Sequence, residues 1–321
     1  MTSSAHMRVF DAAQIDAALT MPLLIDALAE AFAADIEVPL RHHHTIARQD
    51  QQATLLLMPA WTKTGTARSY LGTKLVSVFP ANGARHLPSI YGTYVLMDGD
   101  SGAPLCCMDG ARLTVWRTAA ASALAARFLA PAKPSQLLMV GAGALAPFLI
   151  KAHCAVRTYQ SIALWNHRPE RAAQLAAQLQ AEGLPVHVAT DLEHSVRKSD
   201  VISCATLSQE PLIKGAWLRP GQHVDAVGAY RPDMRETDDE VVKRARIFCD
   251  TKTGAMKEGG DLARPLASGV LTPERVEADL FDLVRGRHAG RGLQDEITFF
   301  KSVGTAIEDL AAAIAVWSAL S

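Results

Sequence analysis

An α/β fold is predicted for this chain by three observations: its length, a change of hydrophobic rhythm part-way along, and a series of short apolar strands separated by helices. At ~100–200 residues per domain, 321 residues suit two domains with sizeable cores. The first third mixes helix with β-rich runs. From Gln136 onward strands and helices alternate, which implies right-handed βαβ crossovers and a parallel sheet.

Taken in order, residues 11–35 carry Ile15, Leu19, Leu23, Leu24, Leu28 and Phe32 at helical spacing, behind Asp11 as N-cap. Residues 54–58, 70–79 and 89–97 are β-rich runs punctuated by Pro and Gly. Asp98-Gly99-Asp100-Ser101-Gly102 then forms a hairpin turn into residues 104–108, giving an α+β segment with a largely antiparallel sheet. Residues 112–129 are Ala-rich and helical, and Pro131 and Pro134 stop them. Six apolar strands follow, at 137–140, 162–165, 186–189, 201–205, 223–227 and 247–249, with helices at 170–181 and 191–198 between the early ones. Residues 302–320 are again helical, with Ala and Ile on one side.

Thirty-two Lys and Arg against 33 Asp and Glu leave a net charge of −1, which removes the electrostatic case for nucleic acid or a membrane surface as partner. An aromatic share of 6% supplies no stacking platform. The five cysteines (106, 107, 154, 204, 249) are odd in number and contain no Cys-x-x-Cys. Free thiols in a reducing cytoplasm fit them better than disulfides or zinc. The N-terminus, Met-Thr-Ser-Ser-Ala-His-Met, has no apolar core of signal-peptide length. The longest uncharged apolar run, residues 137–150, falls short of the ~18–20 residues of a membrane span.

The strand at Gln136–Val140 runs directly into Gly141-Ala142-Gly143-Ala144-Leu145-Ala146, a G-x-G-x-x-A string at a strand-to-helix junction. The first Gly permits a tight turn, the second lets the backbone approach a pyrophosphate, and the small third residue lets helix and strand pack. The N-terminus of the helix offers its free N–H groups to the phosphates. The next strand ends in Asn166-His167-Arg168, with no carboxylate until Glu170. An Asn keeps a hydrogen bond to the adenosine ribose without repelling a 2′-phosphate, and Arg168 offers that phosphate a planar charged fork. NADP(H) is therefore the expected cofactor, with NAD(H) also possible.

The string Leu113-Thr114-Val115-Trp116-Arg117-Thr118-Ala119-Ala120-Ala121-Ser122-Ala123, with Val227-Gly228-Ala229 and Ser302-Val303-Gly304, resembles the ornithine cyclodeaminase/mu-crystallin family over essentially the whole chain. The resemblance implies a Rossmann dinucleotide-binding domain (117–302) inserted into an α+β substrate-binding and dimerisation domain (1–116 and 303–321). It implies a homodimer, with a small carboxylate-bearing imino or amino acid held against the nicotinamide. The matching substrate positions are Arg41, Lys74, Arg117 and Val303. Cofactor positions by the same match are Ser89, Arg117, Thr118, Ala144, Leu145, Asn166, Thr206, Ala226, Val227 and Ser302, to which the glycine string adds Gly141 and Gly143 and the strand-end reading adds Arg168. Guanidinium and ammonium groups converging in a dry site suit a carboxylate. Arg117 and Thr118 are expected at a helix entrance, where charge and hydroxyl together meet a phosphate. His42-His43-His44 is expected as a polar loop and not a metal site, because consecutive residues rarely point at one ion.

The match breaks at one place. Cyclodeaminases of the family carry an Asp after the paired small residues that end the 223–227 strand, and a Lys four residues later. Here Tyr230 and Met234 stand there, and Tyr, with a reference pKa of ~10, is no resting base near pH 7. Asp233 lies three residues further on, beyond a Pro. The string Gly228-Ala229-Tyr230-Arg231-Pro232-Asp233-Met234-Arg235-Glu236 instead resembles the reductase branch, which implies NAD(P)H-dependent reduction of a ketimine such as Δ1-pyrroline-2-carboxylate or Δ1-piperideine-2-carboxylate. A protonated C=N takes hydride at C2 without needing a strong base, and Lys74 is the candidate proton donor. Ornithine cyclodeaminase, alanine dehydrogenase-like reductive amination, and non-enzymatic NADPH or ligand binding stand as the alternatives.

Overall fold

The computed structural model describes residues 7–48, 51–63 and 68–321. Its contacts group the chain into two compact units, Met1–Arg117 with Thr305–Ser321, and Thr118–Gly304. In chain order the first unit contains β1 (Arg8–Phe10), α1 (Ala12–Ala18), α2 (Met21–Ala33), β2 (Ile36–Glu37), β3 (His42–Ala47), β4 (Gln52–Thr62), β5 (Tyr70–Val78), β6 (Ile90–Asp98) and β7 (Pro104–Asp109). The helix α3 (Gly110–Leu129) carries the chain across the boundary.

The first sheet has the order β1-β7-β6-β5-β4-β2, with β3 also pairing β4. All its pairings are antiparallel except β1 with β7. Asp98 organises the β6–β7 turn by accepting from the Ser101 amide at 2.8 Å and hydroxyl at 2.6 Å, and Gly102 takes the positive φ of 71° that the turn requires. Side chains alternate across the strands, so Met58, Ala60, Lys74, Tyr94 and Leu96 all turn to the buried face.

Two elements differ from expectation. The helical pattern over 11–35 folds as two helices. Asp11 and Gln14 form a capping box on α1, while the Thr20 hydroxyl accepts from the Leu23 amide and Pro22 opens α2, so the chain restarts after Leu19. His42–His44 is not a loop but the exposed start of β3, laid antiparallel on Leu57–Leu55 of β4. Backbone pairing to an edge strand outweighs the polar composition here. Among the described residues no cluster of three or more His, Cys, Asp or Glu is placed to hold a metal ion.

The second unit follows as β8 (Gln136–Val140), α4 (Ala146–Val156), β9 (Ser161–Trp165), α5 (Pro169–Ala181), β10 (Val186–Val188), α6 (Leu192–Lys198), β11 (Val201–Cys204) and β12 (His223–Ala226). It continues through α7 (Asp239–Arg244), β13 (Arg246–Cys249), α8 (Lys252–Glu258), α9 (Gly260–Ala267), β14 (Val276–Asp279), α10 (Leu280–Val284) and β15 (Thr298–Lys301). Its sheet is parallel throughout, in the order β10-β9-β8-β11-β12-β15-β13-β14, so the winding reverses between β8 and β11. Eight strands replace the six expected. β14 and β15 are four residues each and carry no periodic signal of their own.

The final helix, α11 (Ala306–Leu320), returns to the first unit and packs on β4, β5 and β6 and against α2. It starts later than its sequence pattern, because Asp250 Oδ2 holds the preceding segment open. That oxygen accepts from the Ser302 hydroxyl at 3.2 Å, the Val303 amide at 2.7 Å and the Gly304 amide at 2.6 Å. No described helix is long and apolar enough to cross a membrane.

Candidate active site

In open α/β sheets ligands bind beyond the carboxyl ends of the strands, where the winding reverses. Here that point is the gap between β8 and β11. Gly141, leaving β8, has φ 110°, and a Cβ on it would stand 2.5 Å from the Ala205 carbonyl oxygen beyond β11, so only glycine fits. A Cβ on Gly143 would meet nothing within 4 Å, and Gly143 and Ala144 face open space. Leu145 precedes α4 without a side-chain cap; the Ala146 amide donates to the Gly143 carbonyl at 3.1 Å, and Pro147 has no N–H to offer. Ala146, the small residue of the string, is buried against the strand. The cradle fits a pyrophosphate.

Asn166 and Arg168 close the second strand end. The Asn166 side chain accepts from the Ala142 amide at 3.2 Å and donates to the Arg168 carbonyl at 3.0 Å, tying the glycine turn to the end of β9. Arg168 is exposed at the N-cap position of α5 and makes no capping bond.

Further along the same sheet edge, Thr206 lies beyond β11, Ala226 ends β12 and Val227 follows it. One residue binds both loops, and the sequence reading gave it no role. Glu236 is fully buried, and its Oε1 accepts from the Thr206 amide at 2.6 Å and hydroxyl at 2.9 Å. Its Oε2 accepts from the amides of Gly228 at 2.7 Å and Ala229 at 3.3 Å. Ser302 and Val303 are buried in the turn that Asp250 holds.

Tyr230 is 38% exposed, and Asp233 is exposed and ion-paired with Arg231 at 2.8 Å, while Met234 is buried. Neither Tyr230 nor Asp233 supplies an inward carboxylate at this strand end.

In the first unit Lys74 and Arg117 come together, and they do so on two acids of α11. Lys74 Nζ lies 2.8 Å from both oxygens of Asp309 and donates to Oδ1, with Thr114 Oγ1 at 3.3 Å. Arg117 donates through Nη1 to Glu308 Oε2 at 2.6 Å and through Nε to Asp309 Oδ1 at 3.1 Å. Lys74, Arg117, Glu308 and Asp309 are all buried, and beside them the Tyr94 hydroxyl is buried without a hydrogen-bond partner. Burial pushes the Lys74 ammonium down to about 8; Asp309 opposes the shift, while the charges of Arg117 and half-buried Arg41 add to it.

Arg117 and Thr118 do not lie at a helix entrance. The helix starts at Gly110, where the Asp109 carboxylate accepts from the Arg112 amide, so both residues are buried in its interior, and Arg117 is committed to the α11 acids. Ser89 is half-buried just before β6, and its carbonyl accepts from the Phe79 amide at 2.8 Å. Glu308 and Asp309 did leave a trace in the sequence: they are an acid pair inside an otherwise apolar helix. Such charges signal buried partners.

Residues 6–321 match the model of the ornithine cyclodeaminase/mu-crystallin family. A Δ1-pyrroline-2-carboxylate reductase of Paracoccus denitrificans is 38% identical, over 84% of this chain and 87% of the relative. The structure of the Thermococcus litoralis Δ1-pyrroline-2-carboxylate reductase, in complex with NADH and L-proline, superposes with a TM-score of 0.90 at 31% identity, covering 98% of this chain and 97% of that one. An archaeal alanine dehydrogenase dimer with bound NAD gives a TM-score of 0.88 at 28% identity, covering 98% of this chain and 95% of that one.

The Lys74–Asp309 pair is expected to behave as a buried ion pair. Removing one partner, as in Lys74→Met or Asp309→Leu, strands a charge and should destabilise by about 3–5 kcal/mol. The double variant should lose clearly less than the sum of the two. Urea unfolding of the four proteins checks this; additive losses would show that the two groups do not interact.

Proposed function

The chain belongs to the ornithine cyclodeaminase/mu-crystallin family, and on that premise we propose that it is an NAD(P)H-dependent ketimine reductase. Its substrate is Δ1-pyrroline-2-carboxylate, with Δ1-piperideine-2-carboxylate as the larger-ring alternative, and the products are L-proline and L-pipecolate. The observation that carries this reading is the buried convergence of Lys74 and Arg117 in the first unit, with the Arg41 charge near enough to lower the Lys74 ammonium, a cationic grouping that suits one substrate carboxylate.

When bound, the reduced nicotinamide supplies the hydride that C2 of the imine accepts. Arg41, Lys74 and Arg117 hold the carboxylate and so fix which face of C2 is presented. The Lys74 ammonium, close to its own ionisation near neutral pH, places a proton on the imine nitrogen. Imine, hydride and one proton give the cyclic amino acid. No base is required, which agrees with Tyr230 and Asp233 lying at the surface. Deamination of ornithine would need an acid at the position that Tyr230 occupies. The archaeal alanine dehydrogenase relative supports a second reading, reductive amination of pyruvate by ammonia.

Absorbance at 340 nm should fall when the purified protein meets NADPH or NADH with Δ1-pyrroline-2-carboxylate, and the rate should decline as pH rises through about 8, where Lys74 loses its proton. Faster turnover of pyruvate plus ammonia would favour the second reading, and proline formed from ornithine without net cofactor use would overturn both.

Exposed Arg168 and the absence of a carboxylate at the end of β9 support preference for NADPH. Arg168→Ala is expected to raise the KM for NADPH about tenfold and that for NADH little; equal changes would remove the phosphate role.

A homodimer is supported by the outer face of the first sheet, where Leu57, Trp61, Leu71, Leu75, Val95 and Met97 lie opposite the buried Met58, Lys74, Tyr94 and Leu96. A second copy of the same face would cover them. Light scattering should give twice the chain mass, falling to one chain in Trp61→Glu/Leu75→Glu; a monomeric wild type would refute the assignment.

A further inference from the structure

Glu236 occupies a position that neither the glycine cradle nor the cationic cluster explains. It is the acid at the end of the Arg231-to-Glu236 segment, and its four hydrogen bonds go to two different loops. Those loops leave β11 and β12 at the carboxyl edge of the parallel sheet, beside the point where the winding reverses. They are drawn so close that a Cβ on Gly228 would stand 2.1 Å from the Thr206 carbonyl oxygen. Without an acceptor between them, three buried or half-buried amides and a hydroxyl would lose their partner.

A second layer fixes Glu236 from below. Asp261 at the start of α9 accepts from the Glu236 and Thr237 amides at 2.8 Å each, and from the Thr237 hydroxyl at 2.9 Å. Lys301 of β15 lies 3.2 Å from Asp261 Oδ2 and donates to the Ala226 carbonyl at 3.0 Å. The Cys204 thiol of β11 faces the same carboxylate. The charged and titratable groups around Glu236 are therefore Asp261, Lys301 and Cys204, and all are buried.

We propose that Glu236 is a positioning residue of the dinucleotide site: as a carboxylate it clamps the Thr206 and Gly228–Ala229 loops into the shape that receives the cofactor. This rests on the reading of the second unit as an NAD(P)H site. Glu236 itself touches no reactant and acts through the two loops. A carboxylate can accept all four of these bonds, whereas a protonated acid turns one oxygen into a donor facing donors, and one loop is released. Burial pushes the Glu236 acid up to about 7; Lys301 opposes the shift, and the Asp261 charge adds to it. The clamp therefore opens and closes across the neutral range.

The sign of this effect distinguishes it from a contribution to stability. A carboxyl group whose ionisation is suppressed in the fold favours the fold at low pH, and that contribution is lost as pH rises through about 7. Dinucleotide affinity should run the other way and strengthen as pH rises.

The test is NADH binding followed by fluorescence on the full chain, from pH 6 to pH 8, for wild type and Glu236→Gln. NADH is used because it lacks the 2′-phosphate, which itself titrates near pH 6. One-proton linkage predicts that wild-type Kd rises about tenfold from pH 8 to pH 6. Gln keeps the size of the side chain but turns an amide towards donors. The variant should bind at the weak level at both pH values, with no slope, while its thermal unfolding at pH 6 stays cooperative. A folded variant that keeps the wild-type affinity and slope would overturn the proposal, as would an equal loss of affinity at pH 6 and pH 8. If Glu236→Gln does not fold, the wild-type slope decides alone, and a flat profile refutes the clamp. Wild type that binds no NADH at any pH would fail the dinucleotide reading itself, and the clamp with it.

Discussion

A charge can be buried only with a partner, because the cost of taking it out of water exceeds what a small domain can spare. Both units of this chain are organised around that constraint. In the first, Lys74 on a central strand and Arg117 inside α3 point into the core, and each is met by an acid on α11. The last helix therefore does more than cover the sheet. It brings the counter-charges from more than 190 positions away in sequence to the cations, and without it the inward face of β5 could not carry a lysine.

The second unit applies the same rule to the edge of a parallel sheet. Strands that end side by side leave loops with unpaired amides, and three buried carboxylates collect them. Asp250 gathers the 302–304 turn, Glu236 joins the loops after β11 and β12, and Asp261 supports Glu236 from beneath. A fourth carboxylate, Asp225, lies within the sheet and accepts from Ser122 at 2.9 Å and Ser203 at 2.7 Å, with His153 Nε2 at 3.2 Å. Such networks rigidify a site when every member is satisfied. The glycine cradle stands out by contrast, since Gly143 and Ala144 are exposed and a Cβ on Gly143 would meet nothing within 4 Å.

The two clusters divide the chemistry. The cradle offers backbone amides and an exposed arginine, which suit phosphates. The first unit offers a buried grouping of side-chain cations, Lys74 and Arg117 with the Arg41 charge nearby, which suits a small carboxylate. A net charge of −1 for the whole chain is compatible with both because the compensation is local.

Local signals were sufficient for much of this. The β–α alternation, the Asp11 cap, the Asp98 turn and the glycine string are each written within a few residues, so period and turn chemistry revealed them. Lys74 and Arg117 were legible as a pair only through a family resemblance, and the resemblance did not reveal their acids. The short strands β14 (Val276–Asp279) and β15 (Thr298–Lys301) were not among the six expected. The His42–His44 run was misread because edge pairing depends on a neighbour in space. Glu236, Asp261 and Lys301 lie 25 and 40 residues apart in the chain, and nothing in their spacing announces a network. By itself the sequence determined the fold class and the expectation of a dinucleotide, because these follow from periodicity and the glycine string, while the expectation of a small carboxylate came from the family resemblance. Tertiary structure alone decided which charges share a buried space, because the cost of burying a charge is set by neighbours in space and not by neighbours in the chain.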